Sequence, residues 1–257
     1  MNALLEFARS LSPAQAALLL LGENILLFLL SLLLGYGLLF LFRERRVTER
    51  PDPLQWQEVT LAGTCVLLNT LVTLAGWFLW RAGLIRISTA ISWRIALDAL
   101  VLFVAMDLAM YLFHRVAHHR LLYPWVHSTH HRYDKPRPLN LFVLNPFEVL
   151  GFGALWLALI MVYPATWYGM LLYLALNLIF GTVGHLGVEP LPRQFMRLPL
   201  LKHLGTSTFH ARHHQDRDVN FGFYTDFWDR FFKTLHRRYV QTFGRLDPQP
   251  SAPQKVG

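Results

Sequence analysis

ISWRIALDALVLFVAMDLAMYLFHRVAHHRLLYPWVHSTHH, residues 91–131, decides how the chain is read. Its first part, from about Ile91 to Phe113, is an apolar run long enough to cross a bilayer as a helix. Its second part carries two histidine clusters, His114-Arg115-Val116-Ala117-His118 and His127-Ser128-Thr129-His130-His131. A span that runs directly into histidines puts a ligand-rich segment at the membrane surface.

Working outward, the same apolar character recurs. Of 257 residues, 54% are hydrophobic and 16% charged, and the mean hydropathy is +0.32, more apolar surface than a soluble interior of this size can hide. Further runs lie at about Ala16 to Phe42, Val59 to Trp80, Val149 to Tyr163 and Ala165 to Val183. The last two are separated by Pro164 with no charge between them, and read as a helical hairpin, with a re-entrant pair as its alternative because each is short. The expected fold is therefore all-α, a polytopic membrane protein of about four to five membrane helices with a histidine-rich helical cap. The first run is not read as a cleavable signal peptide, since Arg9 is balanced by Glu6, the stretch is too long and no small-x-small site follows.

Residues 1–100 form N-terminal membrane helices without a motif, 101–240 the histidine-bearing domain, and 241–257 a Pro-rich tail expected to be disordered. A net charge of +8 fits Lys and Arg bordering membrane helices better than nucleic acid, which is set aside. With the arginines at 43–50 inside, the count of crossings puts every histidine on the cytoplasmic side, and only Arg81, Arg86 and Arg94 dissent. Cys65 is the single cysteine, so no intrachain disulfide exists.

A third cluster, His210-Ala211-Arg212-His213-His214, repeats the H-x-x-H-H spacing of the second. On a helix, offsets of three and four residues stack imidazoles on one side a turn apart, ready to meet a metal. At a histidine frequency of about 5%, chance supplies only about 0.03 matches to that pattern. Eight histidines exceed the needs of one ion, so two metals sharing the set is the economical reading. His185, where the hairpin leaves the membrane, is the natural ninth; His203 is a tenth ligand or an orienting partner, and His119 and His236 are bystanders. Asp107, two turns before His114 on the same helical face, is expected to accept a hydrogen bond from a ligand imidazole, while Asp98 is expected to pair with Arg94.

None of the three clusters contains an acid and no H-E-x-x-H occurs, which weighs against zinc-dependent lipid hydrolysis. A metal-handling protein would carry histidines or acids inside several helices, whereas here most lie beside helix ends. Two redox metals at a membrane surface suit oxygen activation, with the apolar helices offering a dry slot for a lipid.

The run Asp107-x3-Tyr111-x2-His114-Arg115-x2-His118, then His127-x2-His130-His131, His185 and His210-x2-His213-His214, with Asn220-Phe221-Gly222 and Trp228-Asp229-Arg230, resembles the sterol desaturase/fatty acid hydroxylase superfamily over about residues 100–235. The resemblance implies a membrane-bound non-haem diiron oxidoreductase, using O2 and electrons from a separate donor such as a ferredoxin or cytochrome, to hydroxylate or desaturate a lipid such as a sterol or fatty acyl chain. It implies two Fe ions held by His114, His118, His127, His130, His131, His185, His210, His213 and His214. Departures are Asn145-Pro146-Phe147-Glu148, where many relatives have His-Pro-x-Glu, and Phe232-Lys233-Thr234, where Phe-Gly-Thr is usual.

Overall fold

The computed structural model describes residues 2–246. A short helix α1 (Asn2–Ser10) precedes three long ones, α2 (Pro13–Leu41), α3 (Trp56–Arg81) and α4 (Arg94–Ala117). At 1.5 Å per residue these run for roughly 36 to 44 Å, more than a hydrocarbon core of about 30 Å requires. α2 starts at a capping box in which Ser12 Oγ accepts from Gln15 N–H and Gln15 Oε1 accepts from Ser12 N–H, with Pro13 supplying the first turn. α4 begins near the expected run but continues one turn past Phe113, which carries His114 inside the helix.

The hairpin is present as α7 (Pro146–Val162) and α8 (Trp167–Gly184). Each is only about 26 Å long. Its tip nevertheless reaches the connection between α3 and α4, because β1 (Ile87–Ser88) pairs in parallel with β2 (Ala165–Thr166) at that tip. Asp98 makes the same junction from α4: it accepts from Tyr163 O–H and Thr166 N–H, both at 2.8 Å, and lies 3.8 Å from Arg94. The expected Arg94 pairing is thus one part of a larger clasp, and the hairpin goes as deep as its long neighbours.

In lipid, helices associate through close packing and polar contacts rather than through exclusion of water. α4 packs on α7 and α8, and α3 on α2 and α7. Glycines permit close approaches: a Cβ at Gly35 would stand 2.5 Å from Pro138 Cβ, and one at Gly153 would stand 2.5 Å from Val72 Cγ2. Buried Ser31 and Thr182 share a hydrogen bond of 2.8 Å between α2 and α8. Leu18, Leu33 and Phe40 point outward, as side chains facing hydrocarbon do.

At the opposite end from the β pair the chain forms a cap. It contains α5 (Tyr123–Val126), α6 (Ser128–His131), α9 (Ser207–Gln215), α10 (Phe227–Phe231) and α11 (Tyr239–Thr242), with single 3₁₀ turns between them. Buried Glu58 at the start of α3 anchors the segment after α6, holding Arg137 Nε at 3.3 Å and accepting from Asn140 Nδ2 at 3.0 Å. The first residues of the expected tail, 241–246, pack against the cap. Phe243 is fully buried and Arg245 O accepts from the buried Arg212, because the aromatic Tyr239 and Phe243 complete a core over Phe195 and Phe209. The remainder of that expected disorder, from residue 247 onward, lies outside the described residues.

Candidate metal centre

All three clusters and His185 meet where α4, α6, α8 and α9 converge. They form two groups, His114, His118, His127, His131 and His213 in one, and His130, His185, His210 and His214 in the other, the ligand nitrogens of each group lying within 4.8 Å of one another. Both H-x-x-H-H clusters are divided between the groups. Along a helix a residue four positions on is displaced by about 40°, and one three positions on by about 60° the other way. Hence His127 and His131 share one group while His130 turns to the other, and His210 and His214 share the second while His213 turns to the first.

Within the groups the Nε2 atoms face each other. His114 and His127 are 2.9 Å apart, His131 and His213 2.9 Å, His131 and His118 3.2 Å, His210 and His214 3.1 Å, His185 and His210 3.1 Å, and His130 and His185 3.3 Å. A metal about 2 Å from each imidazole nitrogen leaves those nitrogens about 3 to 4 Å apart, so the spacing fits.

The opposite ring nitrogens are braced. Nδ1–H of His114 donates to Phe221 O at 2.8 Å, that of His213 to Val219 O at 2.7 Å, and that of His185 to Gly181 O at 2.8 Å. His127 Nδ1 stands 2.7 Å from Glu148 Oε1, both groups being buried, a charge contact that lacks hydrogen-bond alignment. With its proton on Nδ1, His114 presents a bare Nε2 lone pair toward His127 Nε2 at 2.9 Å, the atom a metal would take.

Burial, reinforced by the neighbouring imidazoles His213 and His127, pushes His118 down to about 2. Burial takes His213 to about 3, and His185 to about 4 against the raising effect of its Gly181 bond. His130, His131, His210 and His214 are also pushed well below the ordinary imidazole value by burial and by their neighbours. Unprotonated imidazoles are what a metal needs.

Asp107 is not beside an imidazole. It accepts from Tyr224 N–H at 3.0 Å, Thr225 N–H at 3.2 Å and Thr225 O–H at 2.5 Å, and so fastens the cap to α4. A strap from the distant C-terminal part lies across its face of the helix, in place of the expected bond to a ligand imidazole. His203 stands outside both groups, its Nδ1 2.9 Å from Asp226 Oδ1, because its short 3₁₀ turn runs beside α10 rather than α9. Asp229 of the Trp-Asp-Arg segment accepts from Phe221 N–H and Gly222 N–H at 2.8 Å, which holds in place the carbonyl that braces His114. Glu148 is the residue that spacing alone missed; its place in Asn-Pro-Phe-Glu was the available signal.

Below the histidines lies an apolar cavity of about 320 Å³ among α2, α3, α4, α7 and α8. Imidazoles of both groups line its upper end, His114 and His127 from one, His130, His185 and His210 from the other. The arrangement can therefore hold two metals against a dry, lipid-shaped space.

Residues 99–234, just over half of the chain, match the family described as fatty acid hydroxylase. Similar proteins include very-long-chain aldehyde decarbonylase GL1-7 of Oryza sativa subsp. japonica, 30% identical over 139 residues that cover 51% of this chain and 22% of that protein. Methylsterol monooxygenase 1 of Danio rerio is 29% identical over 48% of this chain and 42% of its own, and lathosterol oxidase of Rattus norvegicus 30% identical over 48% and 40%. The chain thus spans less than half the length of these curated relatives. No solved structure matches it.

Proposed function

The chain belongs to the fatty acid hydroxylase family, and on that premise we propose that it is an integral-membrane diiron oxygenase that hydroxylates, or desaturates, a C–H bond of a lipid. The observation that carries this reading is the division of nine imidazoles into groups of five and four at the head of one apolar cavity. Two iron ions held by these groups would supply the reduction of O2 to an oxidant able to take hydrogen from an unactivated C–H bond.

The protein's own contribution is positioning and exclusion. Glu148 and the carbonyls of Phe221, Val219 and Gly181 fix His127, His114, His213 and His185 with their Nε2 atoms inward. Phe152, Trp156 and Phe223 wall the cavity and keep bulk water from the reacting carbon. Electrons come from a separate protein of the ferredoxin or cytochrome kind. The histidine end faces the cytoplasm in this reading, supported by Arg43, Arg45, Arg46 and Arg50 and the basic cap on that side.

The test is metal content and product together. Protein purified in detergent from iron-replete cells should carry about two coupled irons per chain by Mössbauer spectroscopy, and lipid extracts incubated with it, a reductant and labelled O2 should yield hydroxylated or newly unsaturated lipid. Zinc that does not exchange for iron, with products formed equally without O2, would move the function to zinc-dependent lipid hydrolysis or metal handling.

A further inference from the structure

The cavity is not apolar throughout. Away from the histidines it is lined by Glu23 and Asn24 of α2 and by Asn69 and Thr73 of α3. Asn24 Nδ2 donates to Leu20 O at 2.9 Å and to Thr73 Oγ1 at 3.2 Å, which uses both amide protons and leaves its carbonyl oxygen as an acceptor. Asn69 Nδ2 reaches only Cys65 Sγ, at 3.6 Å. Glu23 has no hydrogen-bond or ion-pair partner among the described residues. It lines the cavity yet is exposed on the helix surface, so it stands at a side opening toward the lipid. A carboxyl within the hydrocarbon region is expensive unless a polar partner meets it, and the protein supplies none.

The depth of this polar pole follows from two helices. On α2, Asn24 is seven residues below Ser31, whose bond to Thr182 lies one turn before His185. On α7, Glu148 touches His127, while Gly153, packed against Val72 beside Thr73, lies five residues further down and Trp156 eight. The first route puts the pole about 15 Å from the histidines along the bundle and the second about 8 to 12 Å.

We infer that Glu23, with the Asn24–Thr73 pair, receives a hydrogen-bonding group of the substrate at the end remote from the metals. This deepens the oxygenase reading and rests on it: the substrate is a neutral lipid bearing a hydroxyl about 8 to 15 Å from the attacked carbon, entering by that side opening. A phospholipid acyl chain is not selected by such a pole, because its head group stays at the membrane surface.

The experiment is equilibrium binding of radiolabelled dodecan-1-ol and dodecane to the full chain in detergent, under nitrogen so that no turnover occurs. The alcohol should bind about tenfold or more tightly than the alkane, a difference of about 1.4 kcal/mol. Glu23→Leu should reduce that ratio to near one, while Glu23→Gln, which still donates and accepts, should keep most of it. Equal binding of the two probes by the unmodified protein overturns the inference even if the leucine variant fails to fold, as does an undiminished ratio in Glu23→Leu. Selective alcohol binding without iron or O2-dependent product would instead leave the pole standing and remove the oxygenase reading.

Discussion

The two histidine groups differ in how they are built. The group of five draws from α4, α6 and α9, has His118 and His131 partly exposed, and is braced from outside by Phe221 O, Val219 O and Glu148. In the group of four every imidazole is buried; His185 leans on Gly181 O, and His214 Nδ1 is buried with no hydrogen bond. One group is oriented by a web of partners near the surface, the other by close packing at the centre. Replacing a ligand should therefore have a local effect on metal in the first and a structural one in the second.

The largest effect expected is loss of activity. His213→Ala and His130→Ala should each abolish turnover and lower bound metal, with His213→Ala leaving closer to one metal per chain, whereas His236→Ala should change neither; a fully active His130→Ala protein in an iron and product assay would end the ligand assignment. Glu148→Gln removes the anion behind His127 and should weaken metal binding 10- to 100-fold, confined to the group of five. Titration with a competing chelator reads this as one weakened class of site beside one unchanged; two equally weakened classes would erase the distinction between the groups.

Asp107→Asn should act on stability instead. It keeps one oxygen for the Tyr224 and Thr225 N–H groups but loses the charge and the acceptor for Thr225 O–H, a cost of about 1 to 3 kcal/mol, and thermal unfolding should fall accordingly while metal affinity of the folded protein holds. The burial of the imidazoles makes stability depend on pH. His185 at about 4 and His213 at about 3 are depressed below an unfolded value near 6.5, so the unfolded chain binds more protons across that interval. Stability of the chelator-treated protein is complete above about pH 6.5 and should decline progressively as pH falls to about 3. Unfolding curves at fixed denaturant check this, and a flat profile over that window would contradict the burial of these imidazoles.

Much of this was legible in the residues. Long apolar runs announce helices because nothing else satisfies the backbone in lipid, and α2, α3, α4, α7 and α8 fall within a few residues of the runs that predict them. The fatty acid hydroxylase family was also readable from the histidine spacing with its flanking Asn-Phe-Gly and Trp-Asp-Arg segments. The sharing of each H-x-x-H-H cluster between two groups was not, since the 100° between positions three and four matters only once partners stand on both sides. Asp107 illustrates the limit: helical periodicity gives the direction in which it points, but its partners lie 117 and 118 residues away. The polar pole of Glu23 and Asn24 was likewise visible only after distant helices were brought together.

The clasp of β1, β2 and Asp98 has a consequence for the surrounding lipid. It pins the tip of a hairpin only about 26 Å long to the same depth as helices of 36 Å and more. With its tip held there and its other end at the histidines, the hairpin joins the same two levels as α4, so a bilayer of the thickness that suits α7 and α8 also spans the distance from clasp to metal site.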